Sequence, residues 1–268
     1  MSSQARATSG VLLIRKPSPR LAEGQITHIS APDSVDYDKA LSEWTSYVHA
    51  FAALGWKTIE VDPAHDCPDS VFVEDSVVIF GRTAVVASPG HVSREPETQA
   101  LKQWVLPELV QNGLLDNVCQ IEKPGTLDGG DVLKIGKSVY VGHSSRTNQE
   151  GIEQLRHILA PLAYQVVAVP VTKALHLKSA VTALPDGTVI GWDPIVDDPN
   201  AFPSYLSVPE EHGVAVVVIS QDHVLMSADA PKTKELFEKR GLQVTTVPIS
   251  QFEALEGCVT CLSVRVRT

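Results

Sequence analysis

No apolar run in this chain approaches the roughly 18–20 residues that a membrane span needs, so a membrane is not an expected partner. The N-terminal stretch "MSSQARATSGVLLIRKPSPR" has only four consecutive apolar residues between basic ones. That is too few for the apolar core of a secretion signal, and a cytoplasmic location is expected. Cysteine is scarce: Cys67, Cys119, Cys258 and Cys261 are the whole complement of 268 residues, which argues against a disulfide framework. Clusters of lysine and arginine are missing too, and the formal net charge is −10 at pH 7. Without a basic stripe to meet phosphates, nucleic acid is not an expected partner. Nor is there a low-complexity linker or a shift in composition. With 43% hydrophobic residues, the chain can bury a real core, and one domain over residues 1–268 is expected.

What is present is a loose internal repeat. Strand pairs recur at "SVFVEDSVVIFGRTAVVAS", "DVLKIGKSVYVG", "SAVTALPDGTVIGW", "VAVVVISQDHVLMSA" and "VTCLSVRVR", with turn residues in "FGRT", "IGKS" and "LPDGT". Helix-period segments followed by a strand appear at "DYDKALSEWTSYVHAFAALG", "TQALKQWVLPELVQ", "NQEGIEQLRHILAPL" and "TKELFEKRG". This reads as about five strand–strand–helix–strand units, with an ordinary α/β sheet as the plainer alternative. Such units can close radially around a channel, with loops converging at one end.

The residues able to do chemistry are scattered. Cys258 and Cys261 have C-x-x-C spacing, but "CVTCLSVRVRT" is rich in β-branched residues and leaves no room for the helix that a redox motif opens. A structural zinc site wants a second ligand pair, and Cys67 and Cys119 stand alone. What remains is one reactive thiol or two buried small hydrophobes. A nucleophilic cysteine needs a histidine partner. His176 in "KALHLKSAV" stands between leucines, where a core histidine bonded to a carbonyl is the plain alternative. In "CPDSVFVEDSVVI", Asp69, Glu74 and Asp75 lie among apolar residues, where unpaired acids are costly. They must reach solvent or meet a buried cation. Glu74 and Asp75 point to opposite faces of any regular strand. "PGTLDGGDVLKIG" places Asp128 and Asp131 around two glycines, a composition that permits close approach of backbone or ligand. Arg94 and Arg146 lie in polar loops; an arginine fork binds a carboxylate in two-point fashion, though most loop arginines are simply solvated. Ser144, Ser145, Thr147 and Asn148 supply capping side chains for a helix starting near Gln149.

Taken in order, "PDSVFVEDSVV", "PGTLDGGDVL", "SSRTNQEG", "LHLKS" and "EGCVTCLSV" resemble the dimethylarginine dimethylaminohydrolases, of the guanidino-group-modifying (pentein) superfamily. The resemblance runs from about residue 11 to the end. It implies an α/β fold, a five-bladed α/β propeller of repeated ββαβ units around a central active-site channel. It also implies a small-molecule methylarginine substrate, hydrolysed to citrulline and an alkylamine. By the same resemblance Cys261 matches the nucleophile, His176 the general acid/base, and Asp128 the acid supporting the histidine, where some members have Glu. Asp69, Glu74 and Asp75 match acids that hold the guanidinium and α-amino group, and Arg94 and Arg146 a pair gripping the α-carboxylate. Phe72, the backbone of Leu255, and Glu256, where members have Asp, fall at substrate-binding positions. Leu21 to Asp38 correspond to a mobile lid, with Ile26 as the lid residue touching substrate. The C-x-x-C spacing is then incidental and Cys258 a packing residue. No metal or organic cofactor is implied; zinc enters only as an inhibitor at Cys261. The chain is expected as a monomer or homodimer.

Two other readings stay open. An arginine deiminase or dihydrolase acting on an unmethylated guanidine would use the same Cys, His and acids, although deiminases of this superfamily are considerably longer. A non-catalytic binding protein on the same fold would have no use for the Cys–His–acid set.

Overall fold

Short β-branched runs broken by glycine pair with their nearest neighbours, and this local pairing builds the molecule. The computed structural model describes residues 10–30 and 34–267. In chain order its elements are β1 (Gly10–Ile14), α1 (Tyr37–Ala53), β2 (Lys57–Glu60), β3 (Val77–Phe80), β4 (Thr83–Val86), α2 (Leu106–Gln111), β5 (Asn117–Gln120), β6 (Val132–Ile135), β7 (Ser138–His143) and α3 (Gln149–Leu159). There follow β8 (Gln165–Pro170), α4 (Leu177–Ala180), β9 (Val181–Ala183), β10 (Val189–Gly191), β11 (Tyr205–Ser207), β12 (Val216–Ser220), β13 (His223–Ser227), α5 (Pro231–Lys239), β14 (Gln243–Val247), α6 (Ser250–Glu253) and β15 (Val264–Arg267).

These form five three-stranded sheets, β15-β1-β2, β3-β4-β5, β6-β7-β8, β9-β10-β11 and β12-β13-β14. In each, an inner strand pairs antiparallel with the middle strand, which pairs parallel with the outer one. The antiparallel step can be a two-residue hairpin, and Gly81 and Gly136, both at φ 58°, supply the positive φ that such turns need. The parallel step needs a crossover. In four sheets it contains an α-helix. Between β10 and β11 it is built only of 3-10 turns, Asp193–Ile195 and Pro199–Ala201, because Pro194, Pro199 and Pro203 interrupt any helix. The C-terminal strand β15 pairs antiparallel with N-terminal β1, Gly10 opposite Arg267 and Leu13 opposite Val264, which closes the ring. The five-bladed α/β propeller is therefore the fold.

Two local readings are corrected. "VTCLSVRVR" is not a strand pair: residues 259–262 form turns, and only Val264–Arg267 is extended. The segment Val73–Ser76, expected as strand, is a 3-10 turn, because the loop must bring Glu74 N–H to the Cys261 carbonyl at 3.2 Å.

The helices pack outside the blades. Tyr47 and Phe51 of α1 are fully buried with Trp44 in the largest apolar cluster, each such side chain contributing about 1.5–3 kcal/mol. The Tyr47 hydroxyl donates to Val259 O at 2.8 Å and lies 2.7 Å from Ser263 Oγ, tying this helix to the turn that carries Cys261. Tyr47→Phe is expected to lose about 1–2 kcal/mol of stability, leaving the Val259 carbonyl short of a partner. A thermal melt checks it.

Candidate active site

The loops entering the inner strands converge at one end of the channel. Asp75 precedes β3, Asp128 precedes β6, His176 precedes β9 and Cys261 precedes β15; Arg94 and Arg146 follow the middle strands β4 and β7. Asp69, Phe72, Asp75, Arg94, Arg146, His176, Leu255, Glu256 and Cys261 line one small cavity, together with Gln25, Leu175 and Gly257. The space between them is ≈ 20 Å³, about one water.

His176 Nε2 is 3.0 Å from Asp128 Oδ2, and its Nδ1 is 3.9 Å from Asp75 Oδ1. Asp128, fully buried, also accepts from Gly90 N at 2.9 Å, and Asp75 from Gly130 N at 2.8 Å. Burial alone would lower the His176 pKa, but Asp75, the hydrogen bond to Asp128 and Asp131 outweigh it and raise it to about 9. For Asp75, burial is outweighed by His176 and Arg94, which hold the carboxyl at about 2. Asp131 anchors the histidine loop: it accepts from Leu177 N at 2.8 Å, Ser144 Oγ at 2.6 Å and Thr147 Oγ1 at 2.7 Å. Of the expected capping residues, Asn148 caps α3 through Gly151 N, while Ser144 and Thr147 are spent on Asp131.

The Arg94 guanidinium bonds Glu97 through Nε at 3.0 Å and Nη2 at 2.8 Å, and Asp75 through Nη1 at 2.7 Å. Its fork is thus largely occupied, and Arg146, 3.9 Å from Asp128, is the freer of the two. Glu97 escaped the sequence reading, although its i,i+3 spacing from Arg94 in "REPE" is a legible pairing signal. Among the described residues, Asp75, Asp128 and His176 are grouped closely enough to share a cation. The Arg94 and Arg146 guanidinium groups already supply positive charge there.

Two expectations are corrected. Glu74 does not line this cavity: in the 3-10 turn successive side chains diverge, and its Oε1 turns to Lys178 Nζ at 2.6 Å and Arg265 Nη2 at 2.9 Å. Ile26 packs against the large apolar cluster, and its neighbour Gln25 faces the cavity instead, since adjacent residues of an open segment face opposite sides. Cys258 packs against the large apolar cluster as expected, and its Sγ also lies 3.3 Å from Cys261 Sγ. The hydrogen bond between the two thiols, then burial and the nearby Glu74 and Asp75 charges, raise the Cys261 pKa well above its ordinary value, while Cys258 falls to about 7.

The lid expected over residues 21–38 lies partly outside the described residues, at 31–33. Its described part is held by two carboxylates. Asp69 accepts from Gln25 N at 3.1 Å, and Glu256 accepts from Thr27 N at 2.8 Å, His28 N at 2.5 Å and Ile29 N at 3.1 Å. Glu256 itself sits at φ 60°, a left-handed conformation costing on the order of 1 kcal/mol or more for a non-glycine residue. Glu256→Gln puts an amide NH2 among these donors and is expected to loosen the segment. KM should rise about ten-fold with a smaller change in kcat, the size of one charge-assisted hydrogen bond; steady-state kinetics check it.

Known proteins share this architecture. A family model described as N,N dimethylarginine dimethylhydrolase, eukaryotic, matches residues 27–198. The N(G),N(G)-dimethylarginine dimethylaminohydrolase of Streptomyces coelicolor is 55% identical over 255 residues, covering 95% of this chain and 96% of that protein. Among solved structures, a dimethylarginine dimethylaminohydrolase variant with its histidine replaced by glycine, as an adduct with S-methyl-L-thiocitrulline, superposes with a TM-score of 0.85 at 30% identity, covering 96% of this chain and 99% of that one. A cysteine-to-serine mutant of the Pseudomonas aeruginosa enzyme, complexed with citrulline, gives a TM-score of 0.84 at 31% identity, covering 96% and 98%. With the family model spanning more than half of the chain, and a relative of this identity aligned over nearly all of both sequences, the chain belongs to the dimethylarginine dimethylaminohydrolase family.

Proposed function

We propose that the chain hydrolyses Nω-methylated arginines, asymmetric dimethylarginine and monomethylarginine, to citrulline and dimethylamine or methylamine. The observation that carries this is the meeting of the Cys261 thiol, of His176 with Asp128 bonded behind it, and of the Asp69 and Asp75 carboxylates around one small cavity. The citrulline complex of the P. aeruginosa relative supports the same chemistry.

In this reading the guanidinium lies against Asp75, whose carboxylate is kept ionised by His176 and Arg94, and the α-amino group against Asp69 and the Leu255 carbonyl. Arg146, with Arg94, receives the α-carboxylate. In the empty site Cys261 is held as a thiol. A bound cation beside it offsets the negative field of Glu74 and Asp75, so the substrate itself favours loss of the thiol proton. The thiolate adds to the guanidinium carbon. The His176 imidazolium gives its proton to the dimethylamine nitrogen as the C–N bond breaks, leaving a thiouronium on Cys261. Neutral His176 then takes a proton from water as its oxygen adds to that carbon. As the C–S bond breaks, the adduct's hydroxyl proton passes to the departing sulfur, so that citrulline is released and the Cys261 thiol and His176 imidazolium are restored, the proton first lost from Cys261 being taken up by the free dimethylamine. The reading has no resident metal or organic cofactor, zinc entering only as an inhibitor bound at Cys261, and a cytoplasmic setting, consistent with four free cysteines. Among the described residues no helix is long and apolar enough to cross a membrane.

The test is product identity. Purified protein given asymmetric dimethylarginine should form citrulline and dimethylamine in equal amounts. Ammonia from unmethylated arginine, with methylated substrates untouched, would transfer the assignment to a deiminase. The pH profile follows from His176: the acid form is needed to expel the amine, and it is lost as pH rises through about 9. Turnover should therefore fall on the alkaline side of that value, measured as kcat against pH.

A further inference from the structure

The far end of the channel holds a second cavity that the hydrolysis does not use. It encloses ≈ 600 Å³ and is walled by the inner strands β3, β6, β9, β12 and β15, with the hairpin residues Gly81, Arg82 and Gly136 at its mouth. Its charge is one-sided. Arg82, Lys134, Lys178, Arg265 and Arg267 line it, and among the described lining residues Glu74 is the one carboxylate. Glu74 lies at the inner end, where its Oε1 is shared by Lys178 and Arg265, and Arg82 pairs with Asp116 at the rim. Lys134 has no carboxylate within ion-pair distance among the described residues; its Nζ donates to Ile79 O at 2.7 Å and stands 5.5 Å from the Phe80 ring. This concentration of positive charge sits inside a chain of formal net charge −10.

We propose that this axial cavity is a binding site for a small multivalent phosphoryl anion, of the size and charge of phosphate or pyrophosphate. Arginine forks meet phosphoryl oxygens in pairs and lysine ammoniums act as point charges; Arg267 and Lys134 supply both kinds facing one space, while Arg265, bonded to Thr260, Ser263 and Glu74, and Lys178, bonded to Glu74, add positive charge to its wall. The space of ≈ 600 Å³ suits a small anion, and the Thr182 and Ser263 hydroxyls in the lining are already bonded to Val214 O and to Tyr47 and Arg265, so the cationic side chains carry the site. Cavity solvent reaches Lys134, yet protein surrounds it. Desolvation, then Lys178 and Arg265, push its ammonium down to about 7 against the pull of Glu74, with Arg267 adding to the depression. An anion between these groups relieves that repulsion. Nothing in this site depends on the methylarginine reading.

The experiment is calorimetric titration of the purified full-length protein with sodium pyrophosphate and with inorganic phosphate, against sodium chloride of matched ionic strength. Saturable binding at one site is expected, tighter for pyrophosphate, weakened at least ten-fold in Lys134→Met and retained in Arg146→Gln, which alters only the opposite cavity. Lysine acetylation of the wild-type protein, mapped by mass spectrometry with and without pyrophosphate, needs no variant and should show Lys134 protected. Heats no different from sodium chloride, binding unchanged by Lys134→Met, binding lost in Arg146→Gln, or Lys134 acetylated equally with and without pyrophosphate would each overturn the proposal.

Discussion

Replacing Cys261 by serine is expected to lower citrulline formation at least about 1,000-fold while the protein stays folded, and His176→Ala to do the same. A serine hydroxyl at this position is a smaller group of the same shape that loses the ionisation of the thiol: no bound cation brings an alcohol near its anion at neutral pH, whereas a thiol needs only a modest shift. Without His176, dimethylamine must leave without a proton donor, and the group poised at about 9 by Asp75 and Asp128 is gone. Cys258→Ser is the discriminating control. Its sulfur shares a hydrogen bond with Cys261, so its loss should move the thiol titration of Cys261, read by the pH dependence of alkylation, yet leave activity within about ten-fold of the wild type. Activity surviving in Cys261→Ser and lost in Cys258→Ser would reverse the two roles.

The second large effect is expected from one added methyl group. A Cβ at Gly130 would stand 2.6 Å from Asp75 Oδ1 and 2.8 Å from both Cγ and Nδ1 of His176. Neither neighbour is free to yield: Asp75 is clamped by Arg94 and Gly130 N, and His176 by Asp128 and the Leu177–Asp131 bond. Gly130→Ala should therefore displace the imidazole by a fraction of an ångström to an ångström and reduce kcat by about 100-fold. Helix and sheet content by circular dichroism should be unchanged. Wild-type turnover in Gly130→Ala would show that the histidine need not be held where it is. The glycine pair in "LDGGD" was legible as a place of close approach; that the second glycine makes room for a histidine 46 positions later was not.

Most of the architecture could be read from local chemistry. Strand pairs broken by "FGRT" and "IGKS", with Gly81 and Gly136 at positive φ, follow from stereochemistry acting within four residues. So does the Asn148 cap on α3, a bond to a backbone N–H three residues on. The repeat was loose because one crossover has no α-helix, its prolines having excluded one. Cys261, His176, Asp75, Asp128 and Arg94 were found by the motifs around them, and the fold brings them to one end because each precedes or follows a strand at the same level of its blade.

What the chain alone determined, then, is the unit and the chemical inventory: five ββαβ-like segments, a thiol, a histidine, acids and arginines in loops. Which way those side chains face belongs to the tertiary structure. Glu74 turns to Lys178 and Arg265 while Asp75 turns to His176, because a 3-10 turn, not a strand, is needed to reach the Cys261 carbonyl. Gln25 rather than Ile26 meets the cavity, since Asp69 and Glu256 set the register of that segment from 44 and about 230 positions away. Propensity and periodicity act over a few residues. The pairing of β1 with β15 acts across the whole chain, and that ring closure brings Cys261 to the cavity that His176 lines and gathers four of the channel's five cations from three blades onto one axis.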